Sequence, residues 1–312
     1  MVTTAESRVL VYDVGGSHIS AAVFDRGDCT VQGVVTEGYP SEQNIDTFLN
    51  VLHSLGTRAA QDQADIPGVS IAMPGPFDYG RGVSWMQHKL PYLYGFDLRH
   101  ALAARLGKAE AGVRFLNDAA AYLLGEITAG SARGVCRAVA ITLGTGIGSA
   151  FAVDGHVLRE GTGVPPGGEI WNLPYLGGIL EDQISTRAVR QSYQSRTGEE
   201  REVAAIAASA AQDAVAAEVF SNFGHTLGTA LRTVLAGFGP QVVVLGGGIS
   251  RSAQLFLQAA QAELETPRVE LRVSALGEIA PLVGAGAAWF ETEHCGASSG
   301  DDTGLQTAAK PI

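Results

Sequence analysis

Acidic residues stand at the ends of two short apolar runs. Asp13 lies near the end of Arg8–Val14, and Asn117-Asp118 follows Val113–Leu116. A carboxylate in such a place can hold magnesium, directly or through water, or take a proton from an attacking hydroxyl. Glycine-rich turns accompany them: Gly15-Gly16-Ser17, Gly144-Thr145-Gly146 and Gly246-Gly247-Gly248. Such turns let backbone N–H groups approach a polyphosphate and form a concavity for anions. Each feature also has a plain structural alternative. Asp13 can cap its own turn, Asn117-Asp118 can cap the helix that follows, and the triple glycine can be a tight strand-to-helix turn.

These residues must be positioned by regular elements. Arg8–Val14, a glycine turn and His18–Phe24 read as a β-hairpin, with a third strand at Thr30–Thr36. Asn44–Asp62 has apolar residues at helical spacing. Val69–Met73 is a strand stopped by Pro74-Gly75-Pro76, Leu98–Leu106 a short helix, and a helix runs from Asp118 to about Ala129. The pattern then restarts. Ala138–Leu143, the turn at Gly144–Gly146 and Ile147–Val153 form a second glycine-tipped hairpin, and a shift of 130 residues puts Gly16 on Gly146. Gly161–Gly178 reads as a loop, and Glu202–Phe238 as an alanine-rich helix bent near Gly224. Val242–Leu245, a helix over Arg251–Glu265, Val269–Val273 and a last helix over Ala280–Glu291 complete the reading.

Composition limits the function classes. The chain has 312 residues, a length that suggests about two domains, and it can bury a core without disulfide or metal staples. Forty glycines are about twice the usual share of roughly 7%. With 21 Lys+Arg against 32 Asp+Glu, the net charge is −11, so neither nucleic acid nor an anionic membrane is expected as a partner. Three scattered cysteines match no zinc or disulfide framework. No signal peptide or transmembrane stretch is apparent, and a cytoplasmic location is expected.

Motifs narrow the chemistry. GxxxxGK[ST], HRD, DFG, GxSxG and HExxH are all absent. Gly144–Gly148 follows a strand but leads into another strand rather than a helix, against a dinucleotide fingerprint. Taken together, Asp13-Val-Gly-Gly-Ser17, Asn117-Asp118, Leu143-Gly-Thr-Gly146 and Leu245-Gly-Gly-Gly248 occur in the order found in ROK-family sugar kinases. Over about residues 8–290 the chain resembles a glucokinase-type member of the actin-like ATPase superfamily. The resemblance implies an α/β fold of two ribonuclease-H-like domains flanking a central cleft. A smaller N-terminal domain over 1–118 would be completed by a C-terminal helix at about 280–293, with the larger domain at 119–279. Residues 295–312 read as a flexible tail.

The same resemblance implies ATP and Mg²⁺ as cofactors, a sugar as substrate, and a homodimer. It makes Asp118 the catalytic base for a hexose hydroxyl, and Asn117 a ligand of sugar hydroxyls. Gly15, Gly16, Ser17, Gly144, Thr145 and Gly146 would hold phosphates, and Gly246, Gly247 and Gly248 the adenosine. Gly75 would lie near the sugar.

Two departures stand out. Many relatives carry Glu-x-Gly-His and a zinc-binding cysteine cluster, but this chain reads Glu169-Ile170-Trp171-Asn172 with no cysteine nearby. No zinc is therefore expected. Glu169, Asn172 and Glu181 remain sugar-site candidates, and Trp171 is either a sugar platform or a loop anchor. Met86–Pro91 replaces a Pro-Asn-Leu stretch, which leaves the choice of hexose open between glucose and N-acetylhexosamine, fructose or mannose. The rivals to a kinase are a sugar sensor without catalysis and a phosphotransferase acting on carboxylates or polyphosphate. Few residues precede the first strand, so no DNA-binding helix-turn-helix is expected.

Overall fold

The computed structural model describes residues 7–16, 18–39, 43–61, 66–264 and 269–295. Ser17 and residues 296–312 of the expected tail lie outside them. The chain begins with β1 (Arg8–Val14), β2 (His18–Asp25) and β3 (Thr30–Gly38), then α1 (Ile45–Ala60) and β4 (Val69–Met73). A small hairpin, β5 (Phe77–Asp78) and β6 (Val83–Ser84), precedes α2 (Leu98–Leu106), β7 (Val113–Asn117) and α3 (Asp118–Ala129). The second half opens with β8 (Arg137–Leu143), β9 (Ile147–Val153) and β10 (His156–Leu158). A hairpin of β11 (Pro174–Tyr175) and β12 (Gly178–Ile179) leads to α4 (Thr186–Thr197), α5 (Val203–Ser209) and α6 (Ala214–Leu235). The chain then forms β13 (Val242–Gly246), α7 (Leu257–Glu263), β14 (Glu270–Val273) and α8 (Ala280–Cys295).

The repeated hairpin seen in the sequence becomes a repeated sheet. One five-stranded sheet has the order β3-β2-β1-β4-β7, the other β10-β9-β8-β13-β14. In each, an antiparallel hairpin leads into parallel strands. β4 and β13 are buried at every residue, because helices cover both faces. The edge strand β3 alternates exposed and half-buried positions instead. Register aligns the ends of the strands: Asp13 pairs with Ala72, and Met73 with Asn117, so β1, β4 and β7 finish at one edge. Thr142 pairs with Gly246, which brings the ends of β8 and β13 together in the same way.

The halves meet through α3 and α8. α3 packs on β8 and β9, and α8 on β1, β2 and β4. Glycine permits the two helices to touch backbone to backbone. A Cβ on Gly284 would lie 1.8 Å from Ala121 O, and one on Gly125 would lie 2.1 Å from Ala280 O. Trp289 anchors α8 on the first sheet, with the Arg114 guanidinium 4.1 Å from its ring centroid and bonded to its carbonyl at 2.7 Å.

Three element readings change. α6 runs unbroken through Gly224, and the break falls just before Asp213, whose carboxylate caps the helix through Val215 N and Ala216 N. Gly224 serves packing instead, since its Cβ would lie 2.4 Å from Phe256 O. The helix expected over Arg251–Glu265 is 3-10 turns over Gly248–Leu255 followed by α7. α4 escaped the sequence pattern because it is mostly polar and buries only Val189 and Tyr193. Among the described residues no single helix is long and apolar enough to cross a membrane.

Gly284→Ala forces a methyl group into the α3–α8 contact and should lower the unfolding free energy by about 1–3 kcal/mol or more. Gly112→Ala, where the nearest atom would lie 3.5 Å away, should stay within about 0.5 kcal/mol. Urea unfolding followed by circular dichroism separates the two, and equal midpoints would refute the packing role.

Candidate active site

β7 ends at Asn117, and α3 starts at Asp118. Asn117 is the N-cap, its Oδ1 accepting from Ala120 N at 3.0 Å. The capping alternative is thus realised for Asn117, yet its amide is also used. Nδ2 donates to Asp118 Oδ1 at 3.0 Å and to the Tyr79 hydroxyl at 3.2 Å. Ala119 N donates to the same Asp118 oxygen at 2.9 Å. Both donors fall on Oδ1, and Asp118 Oδ2 accepts from none of the described residues. Burial pushes the Tyr79 phenol well above its ordinary range, so it stays a hydroxyl. That hydroxyl donates onward to Met73 O at 3.2 Å.

Asp13 faces Asp118 across the strand ends. Burial first, and then the Asp118 charge, raise its pKa to about 7. Two carboxylates crowded in this way favour a cation between or beside them. Magnesium suits such a site, because it takes one or two carboxylates and fills its shell with water and phosphate oxygens. Asp13 would be its protein ligand. Among the described residues no group of three or more His, Cys, Asp and Glu could hold a metal by protein ligands alone.

The glycine tips flank these carboxylates. Gly15 N bonds to His18 O at 3.0 Å, and Gly144 N to Gly146 O at 3.1 Å. The Tyr39 hydroxyl donates to Gly15 O at 2.7 Å. A Cβ on Gly16 would meet nothing within 4 Å. The chain itself therefore does not require glycine there, and the missing side chain leaves the tip open to a ligand. Thr145 lies in the second tip, and Ser17 of the first tip lies outside the described residues. Gly246, Gly247 and Gly248 form the turn after β13. Gly247 adopts φ 80°, and a Cβ on it would lie 2.4 Å from Leu143 O, so both its conformation and its packing exclude a side chain. Gly246 abuts the Tyr122 ring of α3.

A cavity of about 550 Å³ opens beside Asn117. Gly75, Tyr79, Trp85, Ser149, Arg159 and Glu169 are among its lining residues. Three sugar-site candidates from the sequence are distributed unequally around it. Glu169 lines the cavity and accepts from the Trp171 indole at 2.9 Å, so Trp171 anchors this carboxylate in the loop. Glu181 sits under the second tip, where Oε2 accepts from Ile147 N at 2.9 Å. Asn172 is exposed and outside the lining. Gln87, His88 and Lys89 are also exposed and outside it, between the buried Met86 and Leu90. Tyr79, Trp85 and Arg159 had no sequence signal, since they belong to no spacing pattern and reach the cavity only through the fold.

The loop that carries a cysteine cluster in many relatives is closed here by backbone bonds. Leu180 N donates to Leu173 O at 2.9 Å and Glu181 N to Trp171 O at 3.0 Å, around the β11–β12 hairpin. Asp182 receives Ile179 N and pairs with Arg187.

Two sheets of identical order, with glycine tips and carboxylates at their facing ends, define the actin-like ATPase fold. The chain belongs to the ROK family, whose sequence profile matches residues 9–293. It is 27% identical over 272 residues to a glucokinase of Thermotoga maritima, covering 80% of this chain and 84% of that one. It is 28% identical over 267 residues to an N-acetyl-D-glucosamine kinase of Photobacterium profundum, covering 78% and 85%. A solved ROK hexokinase from Thermus thermophilus superposes with a TM-score of 0.76 at 27% identity, covering 92% of this chain and 99% of that one.

The burial of Asp13, with the Asp118 charge beside it, has a thermodynamic consequence. A carboxyl raised in the folded state stays protonated longer there than in the unfolded chain, so stability is lost as pH rises from about 4 to about 7. Asp13→Asn should therefore raise the melting temperature at pH 8 and do so clearly less at pH 5, where only about the first pKa unit of the cost has accrued, each unit relieved being worth about 1.4 kcal/mol. Thermal denaturation of the ligand-free protein at both pH values checks this, and no gain at pH 8 would contradict the crowding.

Proposed function

We propose that this protein is an ATP-dependent hexose kinase that phosphorylates the 6-hydroxyl of glucose, with Asp118 as general base. The observation that carries the reading is the arrangement around Asp118. Oδ1 is held by Asn117 Nδ2 and Ala119 N, and Oδ2 is left for a substrate hydroxyl beside the cavity. In the reaction Asp118 takes the hydroxyl proton as the sugar oxygen attacks the γ-phosphorus. The bond from that phosphorus to the β–γ bridging oxygen breaks, giving the sugar phosphate and ADP. Positioning and charge stabilisation account for most of the rate in such transfers.

Several of the remaining candidates have a part. Asn117 holds both Asp118 and a sugar hydroxyl, and Glu169, fixed by Trp171, accepts from others. Gly16, Thr145 and Gly146 donate backbone N–H groups to phosphates from tips that Gly15 and Gly144 close by their own backbone bonds, and the turn at Gly246–Gly248 leaves room for the adenosine at Gly248. Asp13 would hold Mg²⁺, directly or through water, and the ion would supply charge neutralisation for the phosphates. Residues 8–118 with α8 form one lobe and residues 119–279 the other. Their closure would exclude water from the transferred group, and the α3–α8 contact is where the lobes would move.

Similar identity to a glucokinase and to an N-acetylglucosamine kinase makes the acetamido sugar the second candidate substrate. Coupled ADP release across glucose, N-acetylglucosamine, N-acetylgalactosamine, mannose and fructose decides between them, with polyphosphate as an alternative donor. Glucose should be turned over with ATP and Mg²⁺, and silence across the panel would end the kinase reading. Asp118→Asn should lower kcat by about 10²–10⁴-fold while nucleotide binding, followed by calorimetry, persists.

A further inference from the structure

Arg159 follows β10 directly and lines the cavity, with its guanidinium 5.6 Å from the Tyr79 ring centroid. It is the one cation among the described residues of the lining. It forms no ion pair with any described residue. The two carboxylates that share the lining are engaged elsewhere. Asp78 accepts from Arg81 N at 2.9 Å, and Glu169 from the Trp171 indole at 2.9 Å. Arg159 and Glu169 line the same cavity as Tyr79, whose hydroxyl accepts from Asn117 beside Asp118. A guanidinium carries five donors in a planar fork that matches a carboxylate or phosphate. Arg159 is exposed at the wall of a substrate cavity in a chain of net charge −11, so a local cation there marks where an anionic group would be received.

We infer that Arg159 is a specificity-determining residue that selects a hexose bearing an anionic substituent away from the phosphorylated hydroxyl. The inference rests on the kinase reading above and refines its substrate class. The neutral hexose fills the part of the cavity beside Asn117 and Asp118, and the substituent reaches toward Arg159, with the exposed Trp85 indole beside it. Anionic groups of two kinds fit the fork: a carboxylate carried on an ether or acyl arm, and a phosphate ester at another hydroxyl.

The test compares sugars that differ only in the anion and keep a free 6-hydroxyl. N-acetylmuramic acid is set against N-acetylglucosamine, and glucose 1-phosphate against glucose, by coupled ADP release. The expected result is a kcat/KM that favours the anionic member of one pair by about tenfold or more. The first pair reports a carboxylate and the second a phosphate. The preference should shrink with added salt, because an exposed charge pair is screened. Arg159→Gln should abolish the preference chiefly through KM, and Arg159→Lys should restore part of it. Anionic sugars that are no better than their parents in the wild-type protein would overturn the inference, as would an Arg159→Gln variant that slows every sugar equally. Turnover of the neutral sugars in that case leaves the kinase reading intact, whereas no turnover of any sugar removes both.

Discussion

The close crossing of α3 and α8 is the contact on which the rest of the structure depends. α3 lies on the second sheet and begins with the proposed base, while α8 lies on the first. Their backbones approach so closely at Gly125 and Gly284 that a single methyl group would have no room. Backbone contact without intervening side chains joins two separately packed α/β layers and holds Asp118 at the end of the first sheet.

Electrostatics at the facing sheet ends works against stability. The parallel register of β1, β4 and β7 brings Asp13 and Asp118 to one edge, where burial and then the Asp118 charge disfavour ionisation of Asp13. A fold selected for stability alone would pair or remove one of them. Retaining both makes sense for a site whose substrates bring a metal ion and phosphates. The open space at Gly16 fits the same account, since no neighbour within the chain excludes a side chain there. The loop after Gly161 is held by a short hairpin, a Trp171–Glu169 hydrogen bond and an Asp182–Arg187 pair. Local hydrogen bonding can hold a loop of this size because its ends are already fixed by β10 and α4.

Much of this was legible in the sequence. Apolar runs ending in glycine turns marked β1, β2, β8 and β9, and the repeat at a spacing of 130 residues anticipated two glycine-tipped hairpins, each of which opens a sheet of the same order. Asn117-Asp118 announced a helix start, and the helix begins there. One reading failed where glycine has more than one use, and α4 was missed because it buries little. Gly224 looked like a bend and is a point of helix packing, because a missing side chain reads the same in either case.

The sequence by itself determined the elements, their repetition and the motif residues, because those depend on local periodicity and on short-range backbone preferences. It also determined the absence of thiolates from the loop around Glu169. Only the tertiary structure decided which side chains share the cavity. It separated Glu169 from Glu181 and Asn172, and it brought in Tyr79, Trp85 and Arg159 from segments without any motif. The reason is physical: contacts between residues far apart in the chain follow from strand register and helix crossing, and neither leaves a local imprint on the residues that it brings together.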